Sequence, residues 1–334
     1  MRAVCLPEQG DIDNLVHDEN FPDPEAGAGE VVIEVKATSL NYHDVFTCQG
    51  MPGIKIPLPI VIGLDTAGEV AGMGPGVEGW SVGDRVLVNP LNLEKGLLGE
   101  MVNGGTAELC KTDAGQLIRI PDGVSFADAA SLPIAYGTAH RMMVTRGNIA
   151  KEDKVLILGA SGGVGSCCVL LAKMVGAEVV ACGSTPEKLQ VLKDLGADHV
   201  IDYTKDDFVK KIWELYDKPY RRAYTGGVDM VVNFTGGDTW VKSLRCLKRG
   251  GRLMTCGATA GYGPETDLRF IWTFELDVRG SNSWTVDDLE KLLAYIDGGE
   301  MKPLISETLS LQDTVKGVHM LADRQVIGKI IVTP

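Results

Sequence analysis

Apolar residues follow two different rhythms along this chain. From Val155 onward, short unbroken apolar runs alternate with stretches of helical spacing. Val155–Leu158 leads through a glycine-rich turn into Val164, Cys168, Leu171, Ala172 and Val175, which fall on one helix face. Glu178–Cys182, His199–Tyr203, Met230–Phe234, Arg252–Cys256 and Asp277–Gly280 follow as β-rich runs, with helical stretches such as Pro186–Leu195 and Trp240–Leu247 between most of them. Strands alternating with helices imply right-handed crossovers, so the pattern predicts an α/β fold with a doubly wound, parallel six-stranded sheet. Upstream the period is two: Glu30–Ala37, Val61–Val70 and Val82–Val88 are short strand-like runs separated by Gly and Pro turns. They predict a compact β-barrel-like domain.

The chain has 334 residues, more than a typical single domain, so two domains are expected. A hydrophobic fraction of 45% and a charged fraction of 23% are those of a soluble globular protein. A net charge of −13 with no basic run argues against a nucleic acid partner, whose phosphates would need Lys and Arg. No apolar segment has signal or membrane-spanning length, and the eight cysteines include no C-x-x-C pair. These features point to a cytoplasmic protein without a membrane partner.

The segment Ala160-Ser161-Gly162-Gly163-Val164-Gly165 has the chemistry of a phosphate cradle. Glycines let the backbone approach a pyrophosphate, and a helix N-terminus offers unpaired N–H groups at its positive end. Ala160 stands where the strict G-x-G-x-x-G fingerprint has its first glycine. About 20 residues on, where an acidic residue would hold a ribose 2′-hydroxyl, the chain reads Cys182-Gly183-Ser184-Thr185. With no carboxylate there, Ser184, Thr185 and Lys188 can receive a 2′-phosphate, which favours NADPH; Glu187 stands nearby and opposes it.

The segments Ser39–Asp44, Gly63–Val70, Gly83–Val86 and Ala160–Gly165 occur in the order of the medium-chain dehydrogenase/reductase superfamily, which the sequence resembles over nearly all its length. The resemblance implies a GroES-like β-barrel catalytic domain made of residues 1–122 and 298–334, with a Rossmann NADP-binding domain, 123–297, inserted. The tail Gly328–Val332 supports the return, reading as a strand with no seventh slot in the Rossmann sheet. The resemblance also implies an active site in the interdomain cleft, a homodimer, and further nucleotide contacts from Thr138, Tyr203, Phe234, Thr235, Gly257, Ala258, Ser281 and Asn282. Lys329 matches a position that reaches toward the cofactor pyrophosphate.

Zinc-dependent members carry a Cys where this chain has Asn41 and a His where it has Leu64. The third ligand falls in Leu132–Gly137, which has no Cys or His, and Asp65 alone cannot hold a catalytic zinc. The structural-zinc lobe would need four cysteines, and Leu91–Gly105 has none. No metal is expected. Hydride transfer without a Lewis acid needs an electrophilic carbon, so the expected substrate is an enone, an enoyl-CoA or a quinone. Asn41 is expected to position it, and Tyr42 or His43 to donate the proton, with solvent as the alternative; tyrosines found slightly further along in some zinc-less relatives are replaced here by Phe46, Met51 and Pro52. Gly261–Gly263, Asp267–Trp272 and Arg279–Asn282 resemble a stretch of crotonyl- and acrylyl-CoA reductases, in which Arg269 and Arg279 would face acyl-carrier phosphates. A non-catalytic NADPH-binding protein is the reading of a different class.

Overall fold

The computed structural model describes residues 1–51 and 53–334; Pro52 lies outside the described residues. Two compact units emerge: Met1–Tyr136 with Leu289–Pro334, and Gly137–Asp288. The sequence places these bounds at 122/123 and 297/298. Residues after 122 pack with the first unit: the helix Phe126–Ala130 lies against the strands Glu30–Leu40 and Asp65–Met73, and the Tyr136 hydroxyl accepts a hydrogen bond from Leu304 N.

In the first unit the long strand Glu30–Leu40 is the hub. It pairs antiparallel with Asp65–Met73, Leu109–Asp113 and the returning tail strand Lys329–Thr333, where Ile331 lies opposite Ser39. Val31, Ile33 and Val35 pack with Val70, Val86 and Val88 in one core cluster. Leu40, Val45, Ile62, Val318 and Ile330 pack in another. The run expected as one strand, Val61–Val70, is two strands in different sheets, Ile60–Val61 and Asp65–Met73. Gly63 breaks it with φ +92, a conformation that costs glycine least.

The second unit holds a parallel sheet that has six strands among the described residues. Its order is His199–Asp202, Glu178–Gly183, Lys154–Ile157, Val228–Val232, Leu247–Thr255 and Asp277–Gly280. This is the doubly wound order expected from the sequence, and it reverses direction at Lys154–Ile157. Val155, Leu156 and Ile157 are fully buried, each burial worth about 1.5–3 kcal/mol. The helix expected over Trp240–Leu247 is instead Thr239–Leu244, because Leu247 is drawn into the sheet opposite Val228. No helix among the described residues is long and apolar enough to cross a membrane.

Candidate active site

Six parallel strands bring six carboxyl ends to one edge of the second unit, and most of the expected nucleotide residues follow those ends. The turn after Lys154–Ile157 begins at Gly159, with φ +65, one residue before the position the fingerprint suggested. Its Cα side faces Phe234: an added Cβ would lie 3.0 Å from that ring. The sequence reading missed Gly159 because the template fell on Ala160, which is fully buried and takes ordinary backbone angles. An added Cβ at Gly165 would lie 2.3 Å from the Gly159 carbonyl oxygen, so only glycine lets the helix Gly163–Met174 sit this close to the strand. Gly162 caps that helix in extended backbone, without a side-chain cap bond, and an added Cβ would meet only the Gly159 oxygen at 3.8 Å. The first-turn N–H groups of the 12-residue helix are therefore oriented for an anion.

Neighbouring loops are tied to this turn in sequence across the edge. Ala160 N donates to Cys182 O, Tyr203 N to Gly183 O, Thr259 N to Phe234 O, Ala260 N to Thr235 O, and Ser281 N to Thr255 O. Buried Asn233 stiffens the Phe234–Thr235 loop, its Oδ1 accepting from Thr235 N and Gly236 N. Thr185 caps the helix Pro186–Asp194, accepting from Lys188 N, and its hydroxyl bonded to Glu187 holds that carboxyl below its usual range, after the backbone N–H of Glu187 itself. Thr185 is thus engaged in starting the helix, and Ser184 and Lys188 stand half-buried beside it. Thr138 lies on a separate helical turn, Thr138–His140.

Gly257, Ala258, Ser281 and Asn282 line a cavity of about 910 Å³ together with Arg141 and Trp240. Ser281 Oγ and Arg141 Nε are buried without a hydrogen-bond partner among the described residues. Orphaned polar atoms in a cavity require a partner from outside the protein or carry a desolvation penalty. The glycine turn, the open helix N-terminus and Ser281 fit a dinucleotide. Arg269 forks onto Asp267 at 2.9 and 2.8 Å, and Arg279 binds Asp277 and the Arg146 carbonyl. Both guanidiniums are already engaged by adjacent carboxylates.

In the first unit, Asn41, Asp65 and Lys329 form one buried network. Asp65 accepts from Ser39 Oγ (2.7 Å), Asn41 Nδ2 (2.8 Å), Ile134 N (2.8 Å) and Lys329 Nζ (3.3 Å). Lys329 Nζ also donates to Leu40 O (2.9 Å) and Asn41 Oδ1 (2.6 Å). An ammonium has three donors, and all three stay inside this unit, which corrects the expectation that Lys329 reaches a pyrophosphate. Both amide hydrogens of Asn41 are committed, to Asp65 and to Ser39 O, and its oxygen accepts from Lys329, so Asn41 has no donor left for a substrate oxygen. The 288-residue separation of Asn41 and Lys329 hid this pairing from local sequence patterns.

Asn41 begins the helix Tyr42–Gln49, and Asp44 closes it by accepting from Asn41 N (2.7 Å) and Gly63 N (3.2 Å). Burial pushes the Asp44 carboxyl up to about 6, against the lowering pull of its bond from Asn41 N. Burial also lowers the Lys329 ammonium from the usual lysine range, with Asp65 opposing. The first turn carries Tyr42, whose ring packs edge-on against Phe46 at 5.1 Å, and His43. His43 Nε2 lies 2.5 Å from Glu100 Oε2. Glu100 is a residue the sequence reading missed; its one signal is a lone charge within the apolar stretch Leu97–Val102.

Two family models match: an alcohol dehydrogenase GroES-like domain over residues 27–122 and a zinc-binding dehydrogenase over residues 163–298. An acryloyl-coenzyme A reductase of Sulfurisphaera tokodaii is 31% identical over 100% of both chains. An NADPH-dependent alkenal/one oxidoreductase of Arabidopsis thaliana chloroplasts is 32% identical over 100% of this chain and 80% of its own. Among solved structures, an NAD-dependent alcohol dehydrogenase superposes with TM-score 0.92 at 32% identity over 100% of both chains. A 2-octenoyl-CoA carboxylase reductase, solved with NADP and 2-octenoyl-CoA, superposes with TM-score 0.85 at 26% identity, covering 99% of this chain and 87% of its own.

Proposed function

The chain belongs to the medium-chain dehydrogenase/reductase superfamily, and from that premise we propose that it is a zinc-independent, NADPH-dependent reductase of activated carbon–carbon double bonds. The substrate is an α,β-unsaturated carbonyl compound or an enoyl thioester. One observation carries the reading. Asp65, the last possible metal ligand at the motif positions, is held by four donors, three on Oδ2 including the Lys329 ammonium and one on Oδ1. Asn41 beside it is bound to Lys329, and Leu64 is apolar. A site so built does not polarise an alcohol, and the acceptor must bring its own electrophilic carbon.

When bound, a reduced pyridine nucleotide supplies hydride to the β-carbon of that acceptor. Gly162–Gly165 would hold its pyrophosphate, Ser184 and Lys188 its 2′-phosphate, and Ser281 Oγ would supply a buried polar contact. Negative charge then develops on the carbonyl oxygen and α-carbon. Tyr42 and His43, both on the exposed-going first turn after the Asn41–Asp65–Lys329 network, are the groups that place a proton there. The buried network fixes the start of their helix rather than touching substrate. The names of the relatives support this class, as does the unpaired state of Ser281 Oγ.

Among the described residues the strand Asp277–Gly280 pairs on one side only, and Leu268 and Trp272 on the preceding helix are exposed, which supports a homodimer closed over this edge. The test of function is NADPH consumption with crotonyl-CoA, a short enone and a naphthoquinone. Turnover of either of the first two supports the proposal. Turnover of the quinone alone makes the protein a quinone reductase, and silence on all three with intact NADPH binding makes it a non-catalytic binder.

A further inference from the structure

We propose that Glu100 is a positioning residue for this reaction, holding His43 by Nε2 so that Nδ1 is the nitrogen that delivers a proton to the substrate. The inference rests on the reading of His43 as a proton donor, and it selects His43 over Tyr42. An ionised carboxylate only accepts hydrogen bonds, so against an ionised Glu100 the hydrogen between the two side chains belongs to Nε2. The tautomer of the neutral ring is fixed by that bond. Nδ1 makes no hydrogen bond among the described residues, and the His43 side chain is 29% exposed. Asp44, the next residue in the chain, directs its two oxygens to Asn41 N and Gly63 N. Tyr42 has an aromatic neighbour but no such partner: its hydroxyl bonds to no described residue.

The pair is also held rigidly. Glu100 sits in a turn closed by Glu100 N to Leu97 O and Gly99 N to Val102 O. The segment that follows is anchored by Gly105 N to Gly63 O, and Gly63 N in turn donates to Asp44 on the His43 helix. Loop and helix are therefore locked to one backbone position. Glu100 is only 7% exposed, and burying a carboxylate beside a half-buried imidazole is a poor way to gain stability, because desolvation offsets the attraction. Positioning accounts for it better. In the step itself, a proton loaded on Nδ1 makes the ring a cation matched by Glu100. The N–H bond breaks as the enolate electron pair forms the new C–H bond at the α-carbon, the ring returns to neutral, and solvent reloads Nδ1.

The experiment uses full-length protein and the variants His43→Asn, Glu100→Gln and the double variant. It reads kcat on crotonyl-CoA, or on the enone or naphthoquinone if that is what turns over, and the side-chain 15N resonances of histidine. We expect His43→Asn to lower kcat about 100-fold, Glu100→Gln about 10-fold with KM for NADPH unchanged, and the double variant to match His43→Asn. The His43 resonances, identified by their loss in His43→Asn, should report an Nε2–H ring in the wild type and lose that pattern in Glu100→Gln. Glu100→Asp, which keeps the charge, should recover part of the rate and covers the case in which the glutamine variant fails to fold. Wild-type turnover in His43→Asn overturns the donor reading itself. A large effect of that variant with additive loss in the double variant, or a neutral wild-type ring with its hydrogen on Nδ1 alone, overturns the role of Glu100 alone.

Discussion

At Gly165 one methyl group decides whether a helix can lie on a strand. Gly165→Ala places a carbon 2.3 Å from the Gly159 oxygen, against backbone that cannot step aside, so it should cost about 1–3 kcal/mol in denaturant unfolding and weaken NADPH binding. A variant with wild-type stability and affinity would show that the helix sits further out. Lys188→Ala should raise KM for NADPH at least tenfold more than KM for NADH, since a charge-assisted bond is worth about 1.5–3 kcal/mol. Equal changes would remove Lys188 from the 2′-phosphate site. The turn at Gly162 and Gly165 was readable in the sequence because a glycine-rich step from strand to helix is a local motif. The roles of Asn41, Glu100 and Lys329 were not, because each depends on a partner 24 to 288 residues away.

The helix Tyr42–Gln49 is the element through which pH acts on the first unit. Its cap, Asp44, is fully buried and titrates near 6, above its ordinary 3.8. Between those values the native state binds more protons than the unfolded chain, so this contribution favours folding at the acidic end and is lost as pH rises through 6. The window is worth up to about 3 kcal/mol. Asp44→Asn removes the titration, and its unfolding free energy relative to wild type should therefore improve between pH 4 and pH 7.5. Parallel pH profiles for the two proteins would show that Asp44 does not titrate in this window. The same helix shows where element-level reading stops. The six strands of the second unit were legible as apolar runs between helices. The break at Gly63 and the early end of Thr239–Leu244 were not, because each is set by a strand partner remote in sequence: Ile60–Val61 joins Cys5–Leu6, and Leu247 joins Val228.

On the scale of the whole molecule, the tail strand Lys329–Thr333 joins the strand Glu30–Leu40 and brings the one buried ammonium of the Asp65 network with it. The sequence revealed the strand by its lack of a slot in the parallel sheet, but not that its first residue would complete a polar core. A homodimer closed over Asp277–Gly280 predicts twice the chain mass in light scattering, and Val278→Lys, with Val278 40% exposed on that edge, should shift it toward monomer. A monomeric wild type would leave the edge uncovered. The central claim is hydride delivery to an activated double bond without a metal. Its most direct test is reduction of crotonyl-CoA or a short enone by chelator-dialysed protein with deuterated NADPH. The account predicts an undiminished rate and one deuterium on the β-carbon of the saturated product; a rate abolished by the chelator and restored by zinc, or deuterium on the carbonyl carbon, would contradict it.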